Sequence, residues 1–191
     1  MSEMILDGTG KGYKAKVNSN SRLETFSISE ERIADISKTG YSFLIGSDFI
    51  SLTTTASFNG LLYIKNNSST KDLFIKTIRI CADGTGSVQC RLIRNPTTGT
   101  LISDANAADN LSANAGSNVN FDGLAYSASG DAKTVTDGSN WTQFINKMPG
   151  HSVQDYQGAI VIPNGQSVAI TAKPSASTDI CVEVQAWFED K

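Results

Sequence analysis

The sequence predicts an all-β protein, a β-sandwich of a jelly-roll-like kind with an extended N-terminal arm. Three observations indicate this class. Short segments rich in β-branched and aromatic residues alternate with clusters of Gly, Asn, Ser and Asp, which favour turns. Residues 180–188, ICVEVQAWF, alternate strictly, a period typical of a strand with one buried face. Charged residues make up only 18% of the chain, below the roughly 25% of an average soluble domain.

The clearest strands lie within residues 61–96. LLYIK and LFIKTIRI are predicted strands, and the Asn- and Ser-rich NNSSTKD between them favours a turn. The following ADGTGS supplies two glycines for the positive φ angles of a tight hairpin, so a further strand is expected to run on to Pro96. Nearer the C-terminus, Asn164-Gly165 predicts a hairpin within GAIVIPNGQSVAITA. The alternating segment after it should bury one face, formed by Val182, Val184, Ala186 and Phe188.

The segments before and after this region carry weaker signals. YSFLIG and FISLTTTASF, at residues 41–46 and 49–58, are predicted as short strands. Residues 97–157 hold many turn signals, and a structureless loop of that length would be unusual in a compact domain. Short strands are therefore expected near residues 119–126, 134–136 and 144–148, crossing the outside of the main sheets.

Residues 1–40 form the predicted arm, and residues 41–191 form the β-sandwich body. Apolar residues are sparse and irregular in the arm, so it cannot bury enough surface to offset its own ordering entropy. We expect it to become ordered only against a neighbour, with a frayed tail as the alternative. Residues 29–37 could form a short helix.

Composition and motifs narrow the function classes. A net charge of −3 argues against nucleic-acid binding, and the apolar runs are too short for a signal peptide or a membrane span, so a protein made in the cytoplasm without a membrane partner is expected. His151 is the single histidine and no G-x-S-x-G elbow accompanies it, which disfavours most metal sites and acid–base arrangements. DGTGKG, at residues 7–12, lacks the ending of a phosphate loop. We therefore expect no enzyme activity, cofactor or metal.

Three features leave alternatives open. Cys81 and Cys90 would face each other across a simple hairpin, yet a cytoplasm keeps thiols reduced, and free thiols are favoured.

The basic segment, residues 65–94, has six cations against two carboxylates, and the acidic segment, residues 100–140, has five carboxylates against one lysine. The acidic segment either crosses the basic one within a subunit or meets it on a neighbour. Four aromatic residues could form a sugar-stacking platform: Trp141, Trp187, Tyr126 and Tyr156. Aromatic residues in β-proteins more often lie in the core or at subunit interfaces, which is the alternative.

Four segments together resemble a family of tailed-bacteriophage virion structural proteins: DGTGKGYKAKVNSNSRLETFSIS, LLYIKNNSSTKDLFIKTIRI, RNPTTGTLIS and VIPNGQSVAI. In that family a Gly-rich GTG…AKV…RL opening precedes an all-β body with Y-x-K-N-N, R-N-P-T-x-G-T and P-x-G signatures. The match touches both ends and the middle of the chain, whereas residues 101–157 match only in general character.

The resemblance implies a particle component located in the virion. A capsid decoration (cement) protein is the first expectation, a neck, tail or fibre-attachment protein the second, and a glycan-binding module for host attachment the third. The implied partners are other virion proteins, either the major capsid protein or neck and tail proteins, and a closed homo-oligomer, a trimer by preference. The hypothesis for attachment is contact through arm residues Tyr13, Lys14, Lys16, Val17, Arg22, Leu23 and Phe26.

Overall fold

The computed structural model describes residues 16–17, 23–24, 32–53, 57–128 and 130–191. The chain divides into two compact units, Met1–Glu31 and Arg32–Lys191. In the first unit, β1 (Lys16–Val17) pairs antiparallel with β2 (Leu23–Glu24). The second unit begins with helix α1 (Arg32–Thr39), which overlaps the helix expected at residues 29–37. Gly40 ends α1 with a φ of 85°, a left-handed conformation that glycine adopts without a steric penalty.

Strands make up most of the second unit. They are β3 (Ser42–Gly46), β4 (Ile50–Leu52), β5 (Asn59–Asn66), β6 (Lys71–Arg94), β7 (Asn106–Ala107), β8 (Asp109–Ser112), β9 (Gly123–Ser127), β10 (Gly130–Asp131), β11 (Ser139–Ile162), β12 (Ser167–Pro174) and β13 (Thr178–Asp190), with helix α2 at Thr100–Ser103. The predicted all-β class is confirmed. The jelly-roll form stays a prediction.

Strand β6 is the centre of one curved, nearly closed sheet. From Leu73 to Arg94 one edge of β6 pairs with β11, with an interruption at residues 83–85. On the other edge, residues 71–82 pair with β13 and residues 88–94 pair with β12. The sheet therefore has two halves that share the β6–β11 ribbon. The β13 half continues through β3 to β8 and through β4 to β10, and the β12 half continues through β5 and β9 to β7.

The β7–β8 segment, residues 106–112, lies at the opposite end of the strand order from β11. β7 pairs with β9 in the β12 half, and β8 pairs with β3 in the β13 half. Between them only Ala108 intervenes, buried, with its N–H donated to the carbonyl oxygen of Ala125 at 2.9 Å. The segment thus links the far edges of both halves.

One face of the sheet carries the core. The predicted inward set on β13 is confirmed, because Val182, Val184, Ala186 and Phe188 are each at most 3% exposed. Trp187 is also buried, although it lies between two inward residues. It stacks on Phe74 with ring centroids 5.5 Å apart and packs against Gly158, where a Cβ would lie 2.6 Å from the indole. Each fully buried large apolar side chain stabilises the fold by about 1.5–3 kcal/mol.

The tight hairpin predicted at residues 82–87 is wrong. β6 continues through these residues without reversing. Gly84 allows close approach to the start of β13, because a Cβ there would lie 2.7 Å from the carbonyl oxygen of Ser177. Gly86 has a φ of 98°, and β11 has its own register shift alongside, between Met148 and Gly150. Gly84 therefore allows β6 to pack closely against β13, and Gly86 supplies a positive φ within a long strand. Neither glycine forms a turn.

The second predicted hairpin is also wrong in its pairing. Asn164-Gly165 does form a turn, in which the N–H of Gln166 donates to the carbonyl oxygen of Pro163 at 3.0 Å. However, β11 ends against residues 73–75 of β6, whereas β12 pairs with β5 and with residues 88–94 of β6. The turn therefore connects the two halves of the sheet. The turn after β5 does the same, because β5 pairs with β12 and β9 and not with β6.

The middle region differs from the predicted crossing strands. The strand expected near residues 119–126 is β9, but residues 144–148 belong to β11 and are no separate strand. Residues 134–136 form no strand, and the neighbouring Lys133 makes an isolated bridge to Gly60. Of the strand predicted at residues 49–58, the described part contains only β4; residues 57–58 are not in a strand, and residues 54–56 lie outside the described ranges.

Residues 134–136 are held by side chains instead. The N–H of Leu101 donates to the carbonyl oxygen of Thr134 at 3.1 Å, and the hydroxyls of Thr98 and Thr136 lie 2.7 Å apart. Asp137 accepts hydrogen bonds from the backbone and hydroxyl of Thr97. We call this junction of residues 97–101 with residues 134–137 the threonine clasp. Hydroxyl side chains here supply bonds that a strand ladder would otherwise make, so the strand predicted at residues 134–136 is replaced by side-chain hydrogen bonds.

Candidate interaction surfaces

Strand β11 presents an edge that no other described strand pairs with. Its 24 residues pair only with β6, while most strands in globular proteins have about 3–10 residues. Ile145 and Val153 on this strand are 61% and 47% exposed. Lys147 and His151, between them, are exposed as well. A long edge with exposed apolar side chains is a template for pairing with another chain.

The β7–β8 segment presents a second edge. β8 pairs only with β3 among the described strands, and its Leu111 is 71% exposed. Leu111 lies directly opposite Leu44 in the register, and Leu44 is also exposed. Asp109 adds an exposed carboxylate. This edge therefore combines apolar surface with negative charge, whereas the β11 edge combines apolar surface with the cation Lys147 and the carboxylate Asp155.

The ion pairs do not join the basic segment to the acidic one. From the basic segment, Lys71 pairs with Asp190, and Arg79 pairs with Glu183 at 3.5 Å. In the acidic segment, Lys133 lies 3.4 Å from Asp104 and 3.5 Å from Asp131. Among the described residues no ion pair connects the two segments. Within the described residues the two segments therefore meet through backbone pairing, with Leu124 opposite Lys65 and Ser139 opposite Arg94, and not through ion pairs.

A depression of about 430 Å³ lies where the two ends of β11 come together. Trp141 comes from the start of the strand, Val161 and Ile162 from its end, and Arg94 from the end of β6. Trp141 is the extra residue of a β-bulge, because Asn140 faces Ile93 while Thr142 faces the adjacent Leu92. Bulges commonly redirect a side chain away from the regular sheet positions. The indole is 41% exposed, and the Arg94 guanidinium lies 5.9 Å from its ring centroid.

Side-chain amides complete this depression, and each is anchored at one end. Asn164 donates through Nδ2 to the carbonyl oxygens of Asn67 and Ser68, at 3.2 and 2.6 Å. Gln166 accepts through Oε1 a hydrogen bond from Nδ2 of Asn95. Asn95, which has a positive φ of 50°, accepts through Oδ1 from the N–H of Ser167 at 2.9 Å. Asn164 Oδ1 and Gln166 Nε2 remain as an acceptor and a donor held in fixed positions.

The other aromatic candidates are less accessible. Trp187 is 4% exposed and stacked on Phe74. Tyr126 is stacked on Tyr63 with centroids 6.0 Å apart. Tyr156 is half-buried, and burial is the main cause that raises its pKa. The structure therefore separates Trp141 from the other members of the predicted platform.

The predicted opposition of Cys81 and Cys90 is wrong, because the hairpin that would create it is absent. Cys81 lies opposite Cys181 on β13 and His151 on β11, whereas Cys90 lies opposite Phe144 and Ala172. All three cysteines are free thiols. Burial raises the pKa of the Cys90 thiol to about 12. Burial, followed by the neighbouring Cys81, raises that of Cys181 to about 11.

Three of the proposed arm contacts have a described backbone. Lys16 and Val17 lie in β1, and Leu23 lies in β2 opposite Val17. The other four, Tyr13, Lys14, Arg22 and Phe26, lie outside the described residues.

The described part of the chain holds no group of three or more His, Cys, Asp or Glu side chains that could bind a metal ion. Its helices are too short or too polar to cross a membrane. Neither the family models nor the curated proteins compared with this chain give a match.

Proposed function

We propose that the protein is a structural component of a tailed-bacteriophage virion, in first place a capsid decoration (cement) protein. The sequence resemblance supports this role. So does one structural observation, the presence of two sheet edges that expose apolar side chains and pair with no further strand among the described residues. The β11 edge carries Ile145, Val153 and Lys147, and the β7–β8 segment carries Leu111 and Asp109.

These two edges suit a repeated head-to-tail contact between copies. β11 is an edge of both halves, and β7 and β8 are the far edges of the same halves. Contact between unlike edges is heterologous, and such contacts form closed rings when the rotation between subunits closes. Burial of Ile145 and Leu111 would supply hydrophobic stabilisation, while attraction between Lys147 and Asp109 would set orientation and association rate. A trimeric ring fits the threefold positions of a capsid lattice.

The arm supplies the second contact in this proposal. The hypothesis assigns it to bind a neighbouring virion protein through residues such as Lys16, Val17 and Leu23. A segment that becomes ordered on binding can cover a large surface of its partner, at the cost of its own ordering entropy.

Purified virions provide the test. If the chain decorates the capsid, its copy number per virion should match the number of lattice sites. A copy number that is a small multiple of three, such as six or twelve, would assign it to the neck or tail instead. Full-length protein should rebind to particles that lack it, whereas a variant without residues 1–26 should remain folded and fail to bind.

An edge variant and a matched control complete this experiment. Ile145→Asp should reduce both oligomerisation and particle binding, because it places a charge at the proposed contact. Phe49→Asp alters a side chain that is equally exposed, at 60%, in the loop between β3 and β4, and it should leave both unchanged. Absence of the chain from virions would contradict the proposal. Normal incorporation of both variants, the truncated one and Ile145→Asp, would contradict it as well.

A further inference from the structure

The depression at Trp141 has the composition of a ligand site and is separate from the edge positions Ile145, Val153 and Leu111. It is built from both ends of β11, the end of β6 and the turn that leads into β12. An exposed indole in a concave site is unusual for a side chain of that size, because tryptophan is highly buried on average.

Its polar groups are fixed before any ligand arrives. Asn164 and Gln166 each use one end of the amide for a protein contact and leave the other end free. Binding to such groups avoids much of the entropy cost of immobilising side chains. An acceptor and a donor next to a flat apolar ring suit the hydroxyls and the C–H face of a sugar.

The charge at the depression limits the class of ligand that fits it. Of the nine residues that line it, Arg94 is the one charged residue, and no carboxylate is among them. Arg94 has no ion-pair partner among the described residues, and its planar guanidinium can bind a carboxylate through two parallel hydrogen bonds.

We propose that this depression binds a carboxylated glycan, meaning an oligosaccharide that contains uronic or sialic acid. Trp141 stacks on the C–H face of one pyranose ring through the indole surface that Arg94, 5.9 Å from the ring centroid, leaves exposed. Arg94 binds the sugar carboxylate, and Asn164 Oδ1 and Gln166 Nε2 bind ring hydroxyls. This activity goes beyond the proposed structural role and does not depend on it.

A glycan array with carboxylated oligosaccharides and their neutral counterparts tests the full-length protein. Titration calorimetry then measures the affinity for the best-bound member and for its neutral counterpart. The carboxylated form should bind at least about tenfold more tightly, since it adds charge-assisted hydrogen bonds to Arg94 that the neutral form cannot make.

Substitutions test which side chains contact the glycan. Trp141→Ala and Arg94→Gln should each weaken binding about tenfold or more, and Trp141→Phe should retain part of the affinity. Phe49→Ala is the matched control, since Phe49 is an exposed aromatic residue that neither lines the depression nor lies on a proposed contact edge. Its affinity should equal that of the wild type. Thermal unfolding of each variant verifies that it is folded.

Several results would overturn the inference: no retention of any carboxylated glycan, equal affinity for the neutral counterpart, or equal affinity in Trp141→Ala. A synthetic acidic hexapeptide is the competing probe. If it binds as tightly as the glycan and depends on Arg94 but not on Trp141, the depression is a protein contact instead. Trp141→Ala should incorporate normally into virions, so failure of this site and failure of the structural role can be told apart.

Discussion

Asp137 shows how a single exposed side chain holds two segments of the body together. Its carboxylate accepts hydrogen bonds from the hydroxyl and N–H of Thr97 and from the N–H of Thr98. The Thr97 hydroxyl bond, followed by the backbone bonds, lowers the pKa of Asp137 from 3.8 to about 2. The ionised carboxylate is therefore part of the threonine clasp.

This shift gives the clasp a defined pH dependence. A folded pKa below the unfolded one contributes stability that is present above pH 3.8 and is lost as the pH falls towards 2. Thermal unfolding should show wild type more stable than Asp137→Asn above pH 4, with the difference closing by about pH 2. A difference that stays constant over this range would contradict the assignment of the shift to the folded clasp.

Cys90 should be chemically protected in the folded protein. It is fully buried, and its pKa is raised to about 12, so very little thiolate is present at pH 8. Alkylation with iodoacetamide followed by mass spectrometry should modify Cys90 only after denaturant unfolds the body. Modification of Cys90 at the rate of the partly exposed Cys81 would show that the core opens locally at this point.

At the scale of strands and turns, local signals were readable from the sequence while pairing was not. Alternation correctly identified the inward residues of β13, and Asn164-Gly165 correctly marked a turn. A turn signal carries no information about whether its two flanking strands pair, and here the turns at residues 66–71 and 163–166 join different halves of the sheet. β11 was hard to recognise because both of its faces mix apolar and polar residues, such as Phe144 and Asn146 on one side and Ile145 and Lys147 on the other.

The same limit applies to the candidate surfaces. Trp141 could be named from the sequence as one of four aromatic candidates. Its bulge, and the approach of Asn164 and Gln166, depend on the return of the far end of β11 to the same place. That approach arises from long-range pairing, which residue spacing does not record.

A substitution at Gly84 tests whether this glycine is required for the close approach of β6 to the start of β13. A Cβ there would lie 2.7 Å from both the carbonyl oxygen of Ser177 and the Cβ of Thr178, and backbone atoms cannot move aside easily. Gly84→Ala should therefore destabilise the protein by about 1–3 kcal/mol in denaturant unfolding. Gly116→Ala is the control, because its nearest neighbour would lie at an ordinary 3.5 Å, and it should change stability by no more than about 0.5 kcal/mol. Equal effects of the two changes would rule out close approach as the function of Gly84.

At the scale of the whole molecule, the two edges predict an association that depends on charge. Lys147→Glu and Asp109→Lys should each weaken oligomerisation in sedimentation velocity, because each places like charges at the proposed head-to-tail contact. The double variant should recover part of the lost affinity. Raising the salt concentration should weaken the wild-type oligomer by screening the same contact. Additive losses in the double variant, or a monomeric wild type at all concentrations, would contradict the head-to-tail arrangement.

The central position of β6 also has a consequence for synthesis. Every strand that pairs with it, β11, β12 and β13, follows it in the chain, and the last of them ends at Asp190. On a ribosome that adds about 5–20 residues per second, β6 must wait some seconds with its apolar residues exposed and no partner strand. The β6–β11 ribbon can form once β11 has emerged, and we expect the other edge of β6 to need protection by chaperones until β12 and β13 have been made.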